Sequence, residues 1–284
     1  MTPTLVRQHL PHAGATPRVD LRARARDWSE IQERMLVPLY EAVYERLDVD
    51  GGTRMLGLGC GSGLALLMAA SRGASVTGVD SGSPERLGLA RQRLLPEAWD
   101  TRARADARVV EGAPREARDP AAGFTLVTAF EPIGCLAGDA EGLGELLAEA
   151  TPLAERGAAV VLAGWGPPER CATTSVLRVA TKLADPLRSA GSWRPALRDD
   201  LEEVAQRAGL RPDGSGRVAC PFGYAGIDSA VRGLLSTGLF DAAIAATDPE
   251  QVDKELAEAL HPHRRQDGTV WMPNVFRYLI ARTP

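Results

Sequence analysis

The run Met55-Leu56-Gly57-Leu58-Gly59-Cys60-Gly61-Ser62-Gly63 sets glycines at alternate positions directly after a short apolar stretch. Gly59, Gly61 and Gly63 let a backbone turn sharply and approach a ligand without a Cβ in the way. Further on, Asp80 closes a second apolar stretch that begins at Ala74. A carboxylate at the end of such a strand accepts hydrogen bonds from both hydroxyls of a ribose. The chemistry that suits these residues is the holding of a nucleotide-like cofactor by its adenosine end, with Arg54 to Asp80 as the holding unit. A nicotinamide or flavin dinucleotide calls for GxGxxG, with its pyrophosphate on the helix N-terminus. Counted from Gly57, the sixth position here is Ser62. The GxGxG spacing suits a ligand without a pyrophosphate better.

Other residues could work beside that unit. Glu131 follows the apolar run Phe124 to Phe130, where it could orient or deprotonate an acceptor hydroxyl or amine. Its plain alternative is a solvated loop acid before Pro132. Phe130 lines the cofactor or fills the core. Trp28 caps the pocket from an N-terminal helix or belongs to that helix's buried stripe. His261 and His263 flank Pro262, and histidine is the usual general base near neutral pH, although a surface histidine is the commoner case. Trp165, Tyr224 and Trp271 are candidate aromatic walls for an apolar substrate. Cys60, Cys135, Cys171 and Cys220 are scattered with no CxxC pair, so no zinc site, other metal site or disulfide framework is expected.

These residues need elements to position them. Residues 1–26 read as an irregular arm. Trp28, Ile31, Met35, Leu39, Val43 and Leu47 then form an apolar stripe at helical spacing, which Pro38 must kink or split in two. Strands are expected over Arg54 to Leu58, Ala74 to Asp80, Ala107 to Val110, Phe124 to Phe130 and Ala158 to Trp165. Helices fall between them, over Ser62 to Arg72, Ser83 to Leu95 and Leu143 to Leu153. Strands alternating with helices of this length pair in parallel through right-handed crossovers, giving an α/β, doubly wound, Rossmann-like sheet. After Trp165 come a long, partly helical connection, a helix from Leu197 to Ala208, and a strand from Arg217 to Phe222. Two or three helices follow as a cover over residues 226–262, and a last strand runs from Thr269 to Ala281. Residues 27–284 read as a single domain.

The chain has 284 residues, 44% of them hydrophobic, enough for a sizeable core, and a formal net charge of -4. That balance argues against a nucleic-acid partner, which needs clustered Lys and Arg. The one basic cluster, Arg18 to Arg26, is short and interleaved with acids. No apolar run is long enough for a bilayer and no signal-peptide core opens the chain, so a cytoplasmic protein without a membrane partner is expected.

With the elements in place, the segment from Met55 to Gly63 resembles the first motif of class I S-adenosylmethionine-dependent methyltransferases, an apolar-Asp-apolar-GCGSG pattern. Val76 to Asp80 resembles the family's ribose-binding second strand, and Arg108 to Gly112 its third strand and adenine turn. Phe124 to Phe130 resembles its fourth strand, and Leu153 to Leu162 its fifth motif. Asp27 to Gln32, Trp165 to Glu169 and Asn274 to Arg282 are similar to actinobacterial small-molecule members. The resemblance covers about residues 27–282. It implies a seven-stranded sheet whose last strand is antiparallel, with S-adenosylmethionine as cofactor and S-adenosylhomocysteine as product. It implies methyl transfer to a small-molecule acceptor in secondary metabolism, by a monomer or homodimer. The implied cofactor-binding set is Trp28, Gly57, Leu58, Gly59, Cys60, Gly61, Asp80, Ser81, Gly112, Ala113, Pro114 and Phe130. Glu131 and His261 are the catalytic candidates.

The chain departs from the family pattern in one respect. Gly57, Ala113 and Thr125 stand where the family carries acids, and only Asp80 remains. That motivates an alternative, a methyltransferase fold turned to non-methylating chemistry such as cyclisation. A non-enzymatic scaffold would show a shallow or filled pocket above Gly59 and Asp80. A nicotinamide oxidoreductase is the remaining reading.

Overall fold

The computed structural model describes residues 20–95, 106–118, 122–134, 138–184 and 200–284. Its frame is a seven-stranded sheet in the order β3-β2-β1-β4-β5-β9-β6. The strands are β1 (Arg54–Leu58), β2 (Ser75–Asp80), β3 (Ala107–Glu111), β4 (Phe124–Ile133), β5 (Ala154–Trp165), β6 (Arg211–Ala219) and β9 (Val275–Arg282). β1 pairs in parallel with β2 and with β4, as buried apolar runs joined by helices require. β9 runs antiparallel to both its neighbours, as the resemblance implied. Strand order reverses between β1 and β4, so a crevice opens there beyond the carboxyl ends of the strands.

Successive side chains alternate between the faces. Met55 joins one core with Leu39, Val43, Leu66, Val161 and Phe276, under α2 (Val37–Arg46) and α3 (Leu64–Ala70). Leu56 and Leu58 join the other with Leu143, Leu147 and Val204, from α5 (Asp139–Ala150) and α7 (Asp200–Arg207). Between these lie α4 (Pro84–Leu94), whose N-cap Ser83 accepts from the Arg86 N–H, and α6 (Thr173–Ala184). A cover of α8 (Ile227–Leu235), α9 (Asp241–Ala246) and α10 (Pro249–Leu260) packs on α6 and on the N-terminal segment.

Three expectations need correction. The N-terminal arm is helical from Leu21 to Asp27 (α1), because the Asp20 side chain caps the Arg22 and Ala23 N–H groups at 3.0 Å. Residues 1–19 lie outside the described residues, as do Cys135 and Leu197. The strand placed at Arg217 to Phe222 is two strands. β6 ends at Ala219 before Pro221, which has no N–H to donate, and β7 (Phe222–Tyr224) starts afresh. The last strand is likewise split, into β8 (Val270–Met272) and β9. At the break the Asn274 side chain accepts from Thr173 N (3.1 Å) and donates to Thr173 Oγ1 (2.9 Å), which draws the chain onto α6. β7 and β8 pair as a separate ribbon. Pro38 acts as expected. Between α1 and α2 the stripe passes through a π turn (Trp28–Gln32) and a 3₁₀ turn (Glu33–Leu36), and Pro38 sits in the first turn of α2. Among the described residues no helix is long and apolar enough to cross a membrane, and no group of three potential metal ligands occurs.

Candidate functional site

The site begins at the turn after β1. Gly59, Gly61 and Gly63 have φ of +58°, +56° and +80°, a region that disfavours any side chain. The Cys60 N–H donates to the Val79 carbonyl (3.2 Å), which fastens the turn to the end of β2. The Asp80 carboxylate accepts from Gly61 N (3.1 Å) and Gly82 N (2.7 Å). Each oxygen keeps acceptor capacity after one such bond. Cys60 packs down against Gly78, where a Cβ would lie 2.8 Å from its Sγ. Burial pushes its thiol up to about 12, so it stays protonated.

Under this turn lies a cavity of about 40 Å³, walled by Gly57, Gly59, Asp80, Thr128, Phe130 and Glu131 among others. Its cover comes from elsewhere in the chain. A Cβ on Gly61 would lie 3.1 Å from Trp28 Nε1, so the indole rests directly on the turn. The Arg86 guanidinium stacks on that indole at 4.1 Å and donates to the Ser236 carbonyl after α8. The base of the cover is Glu33, only 3% exposed. It is paired with Arg93 (2.8 Å) and hydrogen-bonded by Ser62, and Arg93 also reaches Ser62 O (2.8 Å) and Ser29 Oγ (2.7 Å). Trp28 Nε1 and Thr128 Oγ1 are buried without a hydrogen-bond partner. Such groups are costly unless a ligand or water satisfies them.

A second cavity, about 290 Å³, adjoins the first. The two share Trp28, Leu36, Leu58, Gly59 and Glu131. Its far wall is an aromatic group. The ring of Trp165 lies 4.6 Å from that of Phe276 and 5.9 Å from that of Phe222. Glu131 stands at the junction, its Oε2 3.6 Å from where a Gly59 Cβ would be. Glu131 is exposed as a residue, although protein crowds its carboxylate from several sides. Desolvation therefore raises its pKa, with Arg86 opposing and Asp80 reinforcing the shift. Arg86 is shifted down, chiefly by burial, and Glu131 and Asp80 oppose that shift. An arginine stays charged under such a shift, so a positive charge persists near Glu131.

The structure gathers Trp28, Gly57, Leu58, Gly59, Cys60, Gly61, Asp80, Phe130 and Glu131 around the first cavity. Glu131 lies within β4 rather than past it. Ser81, Gly112, Ala113 and Pro114 line neither cavity. His261 must be corrected as a catalytic candidate. It opens the 3₁₀ turn that ends α10, is exposed, and lines neither cavity. Trp165 joins the second cavity. Tyr224 is buried and donates to Gln32 Oε1 (2.9 Å), whereas Trp271 stacks on Arg265 at the surface.

The positions lacking family acids separate into distinct cases. Thr125 accepts from Arg54 N (2.9 Å) at the start of β1. That is about 15 Å from the glycine turn at ~3.3 Å per residue, so its identity does not bear on the site. At Gly57 a Cβ would come 2.9 Å from Leu66 Cδ2, so a leucine fills the space of a side chain there. At the turn after β3, the Glu116 carboxylate folds back to accept from Ala113 N (3.2 Å) and to cover Gly112. Glu33, Arg86, Glu116 and Thr128 were not singled out from the sequence. Only Glu116 carried a signal, the glutamate at the third helical position after Ala113.

No family model matches the chain, and no curated protein matches it. Among solved structures, it is similar to an S-adenosylmethionine-dependent methyltransferase from Thiobacillus denitrificans in complex with S-adenosyl-L-homocysteine. That likeness has 18% identity and a TM-score of 0.53, over 94% of this chain and 99% of that one. The YcgJ protein of Bacillus subtilis gives 14% identity and a TM-score of 0.52, over 86% and 98% of the two chains. The cyclase SpnF gives 17% and 0.50, over 87% and 80%. At such identities the likeness shows the fold, which is that of class I methyltransferases.

Proposed function

We propose that this chain binds S-adenosylmethionine under the glycine turn and transfers its methyl group to a small molecule held in the second cavity. The observation that carries the reading is the shared wall. A turn built for close backbone approach, with Asp80 beside it, opens at Gly59 and Glu131 onto a separate cavity of acceptor size. The bound cofactor supplies an electrophilic methyl on a sulfonium. Asp80 holds the ribose hydroxyls, and the Gly59 and Gly61 backbone lets the cofactor lie close. Glu116 brings an acid to the adenine turn, and Thr128 Oγ1 and Trp28 Nε1 offer unsatisfied polar atoms. Trp28 and Arg86 stand over this chamber and would cover the bound cofactor. The largely apolar second cavity sets the acceptor in line, which provides most of the rate in a transfer that needs little acid–base help. Glu131 orients the acceptor and takes up its proton. The resemblance alone supports a setting in secondary metabolism.

Mass spectrometry of the freshly purified, denatured protein tests the binding half of this reading. S-adenosylhomocysteine or S-adenosylmethionine at substantial occupancy is the expected result, and neither compound in protein that also fails to bind added cofactor would sink it. A second reading, non-methylating chemistry on the same fold, is favoured by Gly57 and by the likeness to a cyclase. Substrate turnover without S-adenosylhomocysteine formation would establish it in place of methyl transfer.

A further inference from the structure

The walls of the second cavity carry information about what it takes, and the inference drawn from them rests on the reading of that cavity as the acceptor site. Its polar groups are few, and most are already engaged. Gln32 Oε1 accepts from the Tyr224 hydroxyl (2.9 Å). Asp139 accepts from Gly134 N (2.7 Å), and Thr237 Oγ1 donates to Leu234 O (2.6 Å) and accepts from Leu239 N (3.1 Å). The Glu131 carboxylate is the acceptor that faces the space at the junction with the cofactor chamber. Among the described residues no Lys, Arg or His lines this cavity. Arg86 belongs to the other chamber, where the Trp28 indole and the Ser236 carbonyl hold it. Trp28 also lines this cavity, but its unpartnered Nε1 lies against Gly61 on the side of the first chamber. The remainder of the wall is apolar, ending in the Trp165, Phe222 and Phe276 group.

Size narrows the choice. An apolar cavity of about 150 Å³ accepts benzene. This one, about 290 Å³, has room for roughly two fused rings. An aromatic or alicyclic body would lie against the three aromatic side chains, where offset and edge-on ring contacts are favourable. A phosphate or carboxylate on such a body would meet a carboxylate and no cation, an arrangement that costs affinity by like-charge contact and by uncompensated desolvation. An N–H or O–H donor would instead meet the Glu131 carboxylate at the junction of the two cavities.

We infer that the second cavity selects a small, one- or two-ring molecule whose polar group is a hydrogen-bond donor, an amine or a hydroxyl, placed at Glu131, and that it rejects anions of the same shape. In the transfer itself the acceptor nitrogen or oxygen forms the new bond to the methyl carbon as the carbon–sulfur bond breaks. The donor proton passes to Glu131, and the sulfur keeps the electron pair. Atoms and charge therefore balance with no further reactant.

The test is calorimetric titration of the full chain, with no cofactor added, using three ligands on one skeleton: 2-naphthol, 2-naphthylmethylamine and 2-naphthoate. The alcohol and the amine are expected to bind at least about tenfold tighter than the carboxylate. Leu146→Trp, on the half-buried wall of α5, should abolish binding of all three while circular dichroism stays unchanged. Glu131→Gln should retain the alcohol and weaken the amine. Naphthoate binding as tightly as its partners, or no binding by any probe at millimolar concentration, would overturn the inference. Because no cofactor is present, its failure is separable from that of methyl transfer. Naphthols that bind a protein deaf to S-adenosylmethionine would refute the proposed reaction and leave this selectivity standing.

Discussion

The chamber under the glycine turn measures about 40 Å³ and sets Glu33, Asp80, Arg86 and Glu131 among apolar side chains, whereas the chamber beside it measures about 290 Å³ and is lined mainly by apolar ones. The first is assembled around one local unit, Arg54 to Asp80, with Thr128, Phe130 and Glu131 of β4 beside it and a cover from the N-terminal segment and α4. The second draws on α5, on the ends of β4 and β5, on β7 and on β9, which are remote from one another in the chain. The contrast teaches where each chamber's stability and selectivity come from. The cover of the first chamber depends on the Glu33–Arg93 pair, which cannot be broken cheaply. The apolar one depends on shape, and on a single carboxylate at the seam.

Breaking the polar cover should have the largest effect. Arg93→Ala leaves the Glu33 carboxylate buried without its cation, a change that costs about 3–5 kcal/mol. Thermal melts should show Tm lower by roughly 6–20 °C. The paired Glu33→Gln, Arg93→Met variant should recover much of the loss. An unchanged melt for Arg93→Ala would mean that the cover is solvated and that its ion pair contributes nothing.

Asp80→Ala comes next. Losing a charged acceptor for two ribose hydroxyls costs about 1.5–3 kcal/mol, or roughly 10–150-fold in cofactor affinity. Since Asp80 also holds the Gly61 and Gly82 N–H groups, Asp80→Asn is the control that preserves part of the turn. Equal affinity in all three proteins would remove Asp80 from the site.

Gly57→Asp asks whether the missing acid can simply be restored. Leu66, 1% exposed, already occupies the space, so overpacking should cost about 1–3 kcal/mol with no gain in cofactor affinity. A tighter-binding, equally stable variant would show instead that the position is an accidental loss.

The smallest effect belongs to Glu131. Its folded pKa is raised by desolvation, so the charged form opposes folding. The protein gains from the protonated form below the unfolded value of about 4.3 and loses that gain as pH rises through the folded value. Glu131→Gln should therefore raise Tm at pH 7 by only about 1 °C, because the carboxylate faces a cavity and screening discounts the shift. The difference should vanish by about pH 4. A lower Tm at pH 7 would show that the charge is stabilised, chiefly by Arg86.

The same contrast explains what could be read from the sequence. Strand β1 was legible to its end residues, since a short apolar run followed by glycines has few other solutions. The Gly59, Gly61 and Asp80 cluster was legible because about twenty residues of strand, turn and helix fix their mutual placement. Glu33 and Arg86 were not, because one opens a short 3₁₀ turn and the other sits on an ordinary helix, and each acquires its place only when the N-terminal segment, α4 and α8 come together over the turn. His261 was misplaced for the opposite reason. Residue type suggested chemistry, but the end of α10 carries it to the surface. The breaks at Pro221 and at Asn274 depend on a side chain reaching Thr173 and on ribbon pairing, neither of which leaves a periodic mark.

The most direct measurement is isothermal titration of the purified chain with S-adenosylhomocysteine, after exhaustive dialysis to remove any carried ligand. The account predicts saturable one-site binding that Asp80→Ala weakens by at least tenfold and that Trp28→Ala, by removing part of the cover, does not abolish. No heat of binding at millimolar ligand, or binding indifferent to Asp80, would contradict it.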